Sequence, residues 1–324
     1  MKSEGFTTEV LVDADWGMLK VTVKDSGGFR VGGGIQLFDD LHHNGWDVTT
    51  ARITSIRGNI LYLDNATVND YIASENGTIS NSFSLIEGIG VENVRISDLT
   101  VDGSKSSNLY LNGCRGGGVY LHKARNCIIE GVTVRNFNGD SFSWQVTKNI
   151  TIRRCEAAYG TGLGFHPGTG SDHSIVEHNT SHHNEKDGFF LCWRVQNSVF
   201  RNNTSYGNGR YGISIGHKDT DNLFENNHIY ENAFHGVMFR DENEQNAGHR
   251  NTFRGNVIEN NGTSGEDAYG FYISGVTHDI VIEDNTIRST GQGRQVCAVF
   301  VGKDTDRITV RSNRISGHPE TVRE

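Results

Sequence analysis

Ser174-Ile175-Val176-Glu177-His178-Asn179, Ser198-Val199-Phe200-Arg201-Asn202-Asn203 and Ile280-Val281-Ile282-Glu283-Asp284-Asn285 are one pattern written three times. Its closing asparagine returns in register as Asn179, Asn203, Asn227, Asn256, Asn285 and Asn313, at intervals of 24, 24, 29, 29 and 28 residues. Self-similarity at this period means a solenoid, in which each repeat makes one coil and stacks on its neighbours. A second column runs beside the first: Gly118, Ser141, Gly164, Gly188, Gly212, Gly236, Gly270 and Ala298, each followed by an apolar residue. Each coil therefore carries at least two short strands that alternate apolar and polar residues at period 2, and no segment of comparable length has a 3.6-residue apolar stripe.

The composition, with 40 Gly and only 2 Pro, suits tight corners between strands whose N–H groups all serve the next coil. Stacking would align the asparagines into a ladder of amide hydrogen bonds. The fold class expected is all-β, a single-stranded parallel β-helix of about ten coils, its right hand taken from the usual handedness of β crossovers. The pattern is regular over residues 91–324 and loose over 1–90, which are expected to be irregular N-terminal coils and a cap within one continuous domain. Val21, Val23, Val31, Ile35, Leu37, Ile53, Ile56, Ile60, Leu61 and Leu63 still alternate in strand fashion there. A polar lid before Met1 is not evident, so the chain is also read as a candidate fragment of a longer protein.

The chain has 30 Lys+Arg against 39 Asp+Glu, a net charge of −9 with no basic stripe, which excludes nucleic acid as main partner. No apolar run is long enough to span a bilayer and the first residues lack a signal-peptide core, so no membrane partner is expected. Cys114, Cys127, Cys155, Cys192 and Cys297 contain no CxxC pair and read as reduced thiols; Cys192 is the one placed where a nucleophile could act. His173, His178, His182 and His183 follow no closed zinc spacing and read as solvated turn residues. The Asn-X-Ser/Thr triplets, such as Asn179-Thr180-Ser181, follow from asparagine-rich turns preceding strands and carry no glycan argument.

Function must come from the outward face, since a solenoid is a scaffold. If the residue after each column glycine points inward, those one before and two after it point out. The first set reads Asp140, Leu163, Asp187, Tyr211, His235 and Tyr269; the second reads Tyr120, Ser143, His166, Phe190, Ser214, Met238 and Tyr272. This strip has the composition of a saccharide groove. Asp140, His166, Asp187, Tyr211 and His235 are its candidate catalytic residues, and Tyr120, His122, Trp144, Phe190, Trp193, Arg194, His217, Arg240 and Tyr272 its candidate substrate-binding residues.

Gly164-Phe165-His166-Pro167-Gly168, Lys186-Asp187-Gly188-Phe189 one coil on, Asn197-Ser198-Val199-Phe200-Arg201-Asn202-Asn203 and Arg210-Tyr211-Gly212-Ile213 together resemble the catalytic module of the mannuronan C5-epimerases and related β-helix polysaccharide lyases. The resemblance covers residues 125–240 best. In that family the first stretch reads Tyr-Gly-Phe-Asp-Pro-His, so Leu163, His166 and Gly168 replace its Tyr, Asp and His, while Asp187 matches the acid of the following Asp-Gly-Phe. The resemblance implies a related site with its parts moved.

A lyase or epimerase acting on a uronate-containing glycan would use His166 as base, Tyr211 as acid, Arg240 or a protonated His235 to neutralise the sugar carboxylate, and Asp187 to orient them. Two other readings stand beside it. Asp140 and Asp187, two coils apart and so roughly 9.6 Å apart along the backbone, fit the carboxyl spacing of an inverting glycoside hydrolase. A non-catalytic glycan-binding or tailspike-like module needs no acid–base set. No metal is assigned and no cofactor is required, with calcium compatible but not implied. The partner expected is a polysaccharide or oligosaccharide, met by a monomer or a homo-oligomer such as a trimer in an extracellular or periplasmic setting.

Overall fold

A computed structural model describes residues 4–323. Three parallel ladders run the length of the solenoid. One stacks Thr151–Arg153, Ile175–Glu177, Val199–Arg201, Leu223–Glu225 and Thr252–Arg254. The next stacks Glu156–Ala158, Thr180–His182, Thr204–Tyr206, His228–Tyr230 and Val257–Glu259. The third, which carries the outward strip, is ten strands tall and includes Val119–His122, Phe142–Gln145, Phe165–Gly168, Phe189–Phe190, Ile213–Ile215 and Val237–Phe239.

The corner between the first two ladders is one residue in the left-handed region, repeated coil after coil: His178, Asn202, Asn226, Gly255 and Asp284, with φ of 57°, 54°, 55°, 67° and 57°. Asn, Asp, His and Gly tolerate that region best, which explains the residue types before each ladder asparagine. The amide of Asn203 then closes the coil. Its Nδ2 donates to the Val176 carbonyl at 2.8 Å and to Asn227 Oδ1 at 3.0 Å, while its Oδ1 accepts the Asn179 backbone N–H at 3.0 Å. A second ladder, Asn184, Asn208, Asn232 and Asn261 with Gln295 at its end, repeats this one corner further on, each amide 2.9–3.0 Å from the next. Its four asparagines keep the 24, 24 and 29-residue intervals of the first ladder and are equally open to reading from the sequence.

Inward residues stack as vertically as the amides do. Phe142, Phe165 and Phe189 lie face to face at 4.8 Å, and Phe200, Phe224 and Phe253 at 4.9 and 4.5 Å. Burying each such ring contributes roughly 1.5–3 kcal/mol. The column glycines are required by close approach: a Cβ on Gly188 would lie 2.1 Å from Ser205 Oγ.

Residues 7–80 depart from the expected irregular coils. They form a six-stranded sheet paired antiparallel, in the order Thr7–Glu9, Thr78–Ser80, Gly34–Phe38, Thr49–Arg57, Ile60–Leu63, Lys20–Thr22. Val21, Val23, Ile35, Leu37, Ile53, Leu61 and Leu63 make a core of their own, separate from that of the solenoid, while Val31 is exposed. Period-2 alternation is common to parallel and antiparallel strands, so it cannot separate the two arrangements. The parallel ladders begin at Ile86–Ile89 and Arg95–Asp102.

Replacing Asn227 by Ala removes the partners of the Asn203 amide and of the Phe200 carbonyl inside a dry wall. The expected cost is about 1–3 kcal/mol per group left unsatisfied, read as a lowered urea midpoint. The exposed Asn59, substituted the same way, serves as control; equal effects at the two sites would contradict a structural role for the ladder.

Candidate functional site

The outward face of the third ladder divides into a covered and an open part. In the covered part Asp140 and His166 form a buried pair, with Asp140 Oδ2 at 2.7 Å from His166 Nδ1 and Asp140 Oδ1 accepting the Leu163 N–H at 2.8 Å. Their strand positions are fixed by register: His166 pairs with Ser143, three residues past Asp140. Both side chains are all but inaccessible, at 2% and 4% exposure. The cover is the loop before Val119–His122: a Cβ on Gly113 would come 1.7 Å from Asp140 Oδ2 and 2.9 Å from His166 Nδ1. Burial disfavours charge on His166, but the hydrogen-bonded Asp140 carboxylate and the neighbouring Cys192 outweigh it and raise the imidazole to about 9. Among the described residues no N or O atom bonds the buried His166 Nε2, and Cys192 is its neighbour on that side.

One coil on, Asp187 is fully buried. Its Oδ1 accepts the Tyr211 N–H at 3.2 Å, and its Oδ2 has no hydrogen-bond partner among the described residues, with Arg210 Nη1 at 3.6 Å. Burial raises this carboxyl above the ordinary range, opposed in part by Arg210 and by the Tyr211 N–H. Above it the open part begins. Tyr211 stacks on His235 at 5.4 Å, His235 on Tyr272 at 4.7 Å and Tyr272 on Phe300 at 4.5 Å, a half-buried aromatic column along the axis. Burial lowers His235 to about 4, and its Nδ1 also lacks a partner among the described residues.

Arg240 reaches down two coils. Its guanidinium lies 4.5 Å over the Phe190 ring and donates to Ser214 Oγ at 2.8 Å, to the Leu191 carbonyl at 2.7 Å and to Asp219 Oδ2 at 3.3 Å. Asp219 is fully buried and pushed up to about 7 by burial, which Arg240 opposes. Beside it His217, lowered to about 4 by burial and by Arg240, stacks on Trp193 at 4.9 Å and meets Glu242 Oε1 at 2.7 Å.

The residues chosen from the sequence thus fall into groups. Asp187, Phe190, Tyr211, His217, His235, Arg240 and Tyr272 share one patch, with Trp193 at its rim and Arg194 exposed beyond it. Trp144 is a correction: it points into the core, fully buried, with Nε1 on Ser174 Oγ at 3.2 Å, because it falls at an inward position of its strand. Tyr120 is a second one: its side chain faces outward but is buried beneath the loop, with its hydroxyl on the Cys114 carbonyl at 2.8 Å. His122 is half-buried between Tyr120 and Trp46. Asp219, Glu242 and Gly113 were missed, since all three lie off the two columns on turns or loops.

Metal-ligating atoms gather elsewhere, where Glu244, His249 and His278 come within 4.8 Å of one another. His249 is committed already: its Nδ1 accepts the His278 N–H at 3.2 Å and its Nε2 lies 2.9 Å from the Glu244 carbonyl. No lone pair of that ring is left for a cation.

The family described as right handed beta helix region matches residues 99–253. No curated protein matches the sequence. Among solved structures, the A-module of a mannuronan C-5 epimerase from Azotobacter vinelandii is similar at 23% identity and a TM-score of 0.57, over 74% of each chain. A periplasmic alginate epimerase is similar at 12% identity and a TM-score of 0.49, over 73% of this chain and 70% of the other. A Pseudomonas phage tailspike is similar at 12% identity and a TM-score of 0.37, over 98% of this chain and 59% of the other.

Because the folded value of His166 lies above that of a free imidazole, 6.5, its pairing with Asp140 stabilises the fold fully below about pH 6.5, and the contribution fades as pH rises through about 9. Titration followed by NMR of the His166 ring should show a midpoint well above 6.5 in the wild type, falling in Asp140→Asn. Coincident midpoints in the two proteins would remove the pair as the cause.

Proposed function

We propose that this right-handed parallel β-helix is an enzyme on a polysaccharide, acting in the lateral groove as a lyase or epimerase on a uronate-containing glycan. The observation carrying the proposal is that one outward face gathers ionisable groups in opposed states, the Asp140–His166 pair at 2.7 Å and the buried Asp187 beside the neutral His235 stacked on Tyr211 and the Arg240 guanidinium over Phe190. The sequence resemblance to epimerases and lyases points the same way, as does the likeness to an epimerase module. A glycan substrate suits an extracellular or periplasmic setting.

Removal of the C5 proton of a uronate needs a neutral base, positive charge at the sugar carboxylate and an acid for the leaving oxygen or the opposite face. The electrostatics exchange two roles that the sequence suggested. Arg240, whose guanidinium reaches down to Phe190 and Ser214 on the open part, serves as the cation facing the carboxylate, and His166, kept protonated by Asp140, adds positive charge from beneath the roof. His235, kept neutral by burial, serves as base with Tyr211 stacked on it. Asp187, whose carboxyl burial raises above the ordinary range, is the acid of the set. In a lyase the electron pair left at C5 expels the C4 oxygen, which takes a proton from that acid; in an epimerase C5 is reprotonated from the other face.

The hydrolase alternative is weakened by Asp140. Both of its oxygens are engaged and Gly113 lies over them, so it positions His166 and cannot approach a sugar.

With uronate polysaccharides in deuterated water, an epimerase should place deuterium at C5 of the inverted residues, whereas a lyase should give ultraviolet absorbance of unsaturated ends without deuterium at C5. Reducing ends without either signal would mean a hydrolase. Asp187→Asn and His235→Ala are each expected to lose at least about 100-fold in rate, while Asp187→Asn keeps or raises the melting temperature, since it removes a buried carboxylate with an unpartnered oxygen. Undiminished turnover in both variants would overturn the site.

A further inference from the structure

The outward face of the third ladder should be equally accessible from coil to coil, since its strands repeat in register. It is not. Tyr120, Ser143 and His166 are 2–4% exposed, whereas further on in the same column Phe190, Met238 and Tyr272 are partly open and Ser214, at 1%, is covered by the Arg240 side chain that bonds it. The difference is a roof. Ser143 Oγ donates to the Gly113 carbonyl at 2.6 Å, and Gly113 rests on the Asp140–His166 pair. The roof is tied in turn to the N-terminal sheet: the Asn112 N–H donates to Gln36 Oε1 at 3.0 Å and Gln36 Nε2 to the Tyr110 carbonyl at 3.2 Å.

A second tie crosses the face itself. Trp46 Nε1 donates to Thr169 Oγ1 at 2.8 Å, next to the strand that carries His166, and the Arg115 guanidinium stacks on the Trp46 ring at 4.6 Å. On the other flank Lys186 Nζ lies 5.4 Å over the Tyr110 ring, and Lys105 pairs with Glu185 at 3.2 Å. The cover therefore extends to the level of Asp187 and stops there. Beyond it the open strands from Phe189–Phe190 to Glu320–Arg323 span roughly five strand spacings, or about 24 Å, along which the aromatic column Tyr211, His235, Tyr272 and Phe300 runs.

We infer that the groove is closed at one end by Trp46 and the Gly113 loop, immediately beside the unpartnered His166 and Asp187 atoms, so that the enzyme takes a glycan by its terminus and acts on the sugar at that end. The inference rests on the proposed function. It adds that the substrate is a chain end: sugars extend from the site in one direction only, toward Tyr272 and Phe300, and a chain cannot lie across the site with residues on both sides. Neither the fold nor the pair of unpartnered atoms requires this, since an open strip with the same residues would admit internal segments.

The probes are oligouronates prepared from polymannuronate, polygalacturonate and a glucuronan, carrying a bulky fluorophore at the reducing end, at the opposite end or at both. Binding to the Asp187→Asn protein is read by anisotropy, and wild-type digestion by viscosity against product size. One labelled end should weaken binding at least tenfold while the other is tolerated, and digestion by a lyase should release short products while viscosity persists. Equal binding of oligomers blocked at both ends, or a fall in viscosity before short products accumulate, overturns terminal action and leaves the groove and its chemistry standing. If no probe binds and none is turned over, the uronate reading falls and this inference with it.

Discussion

The buried asparagine amide is the constraint from which the rest of this structure follows. A coil of two dozen residues exposes backbone N–H and C=O groups at every corner, and corners inside a stacked rod have no water to satisfy them. One amide supplies both a donor and an acceptor. Asn203 therefore takes the Asn179 N–H, bonds the Val176 carbonyl and hands its remaining donor to Asn227. Once that chain of amides is in place, vertical register is fixed coil by coil, and any residue becomes the neighbour of the one about 24 positions away. Phenylalanines stack in the core for this reason, and Tyr211, His235 and Tyr272 line up on the outside for the same reason.

Register also sets the electrostatics. Asp140 sits below Leu163 and Asp187 in one column, His166 between Ser143 and Phe190 in another, and the two columns are close enough for a carboxylate of one coil to hold an imidazole of the next. What makes these contacts consequential is their dryness. Burial alone would leave His166 neutral like His235; the Asp140 carboxylate reverses the outcome at one site and not at the other. Two histidines on one face thereby acquire opposite charge states at neutral pH, and the difference comes from the Asp140 carboxylate, against a burial that both share.

Much of this was legible in the residues. The asparagine register gives the ladder, the coil length and the inward phenylalanines, and the glycine columns identify which strand faces outward. Trp144 shows where reading by composition goes wrong: an aromatic among acids looks like a sugar platform, yet its place one residue after Ser143 turns it inward. The N-terminal sheet escaped because Val21, Ile35 and Leu61 alternate as parallel strands would, and only long-range pairing distinguishes the two. The roof escaped for a different reason. Gly113 and Trp46 lie in segments without periodicity, and nothing local to either says that it will close over a strand far away in the chain.

Those aperiodic segments are where the site gains its individuality. The interval between ladder asparagines lengthens from 24 to 29 residues between Asn227 and Asn256, and the added length is the loop that includes Asp241 to Arg250. The amide ladder crosses this interval with its bond unchanged, Asn227 to Asn256 at 2.9 Å, so the insertion is expelled sideways onto the outward face. There it delivers Glu242 to His217. The segment from Ser104 to Arg115 behaves alike, leaving the parallel pairing of Arg95–Asp102 with Ile128–Arg135 intact while laying Gly113 on Asp140. Insertions that the ladder will not accommodate inside must build on the surface, next to residues the columns have already aligned. A rod of uniform coils would offer a flat strip of repeated side chains. The departures from uniformity wall that strip, dry part of it and give it a closed end.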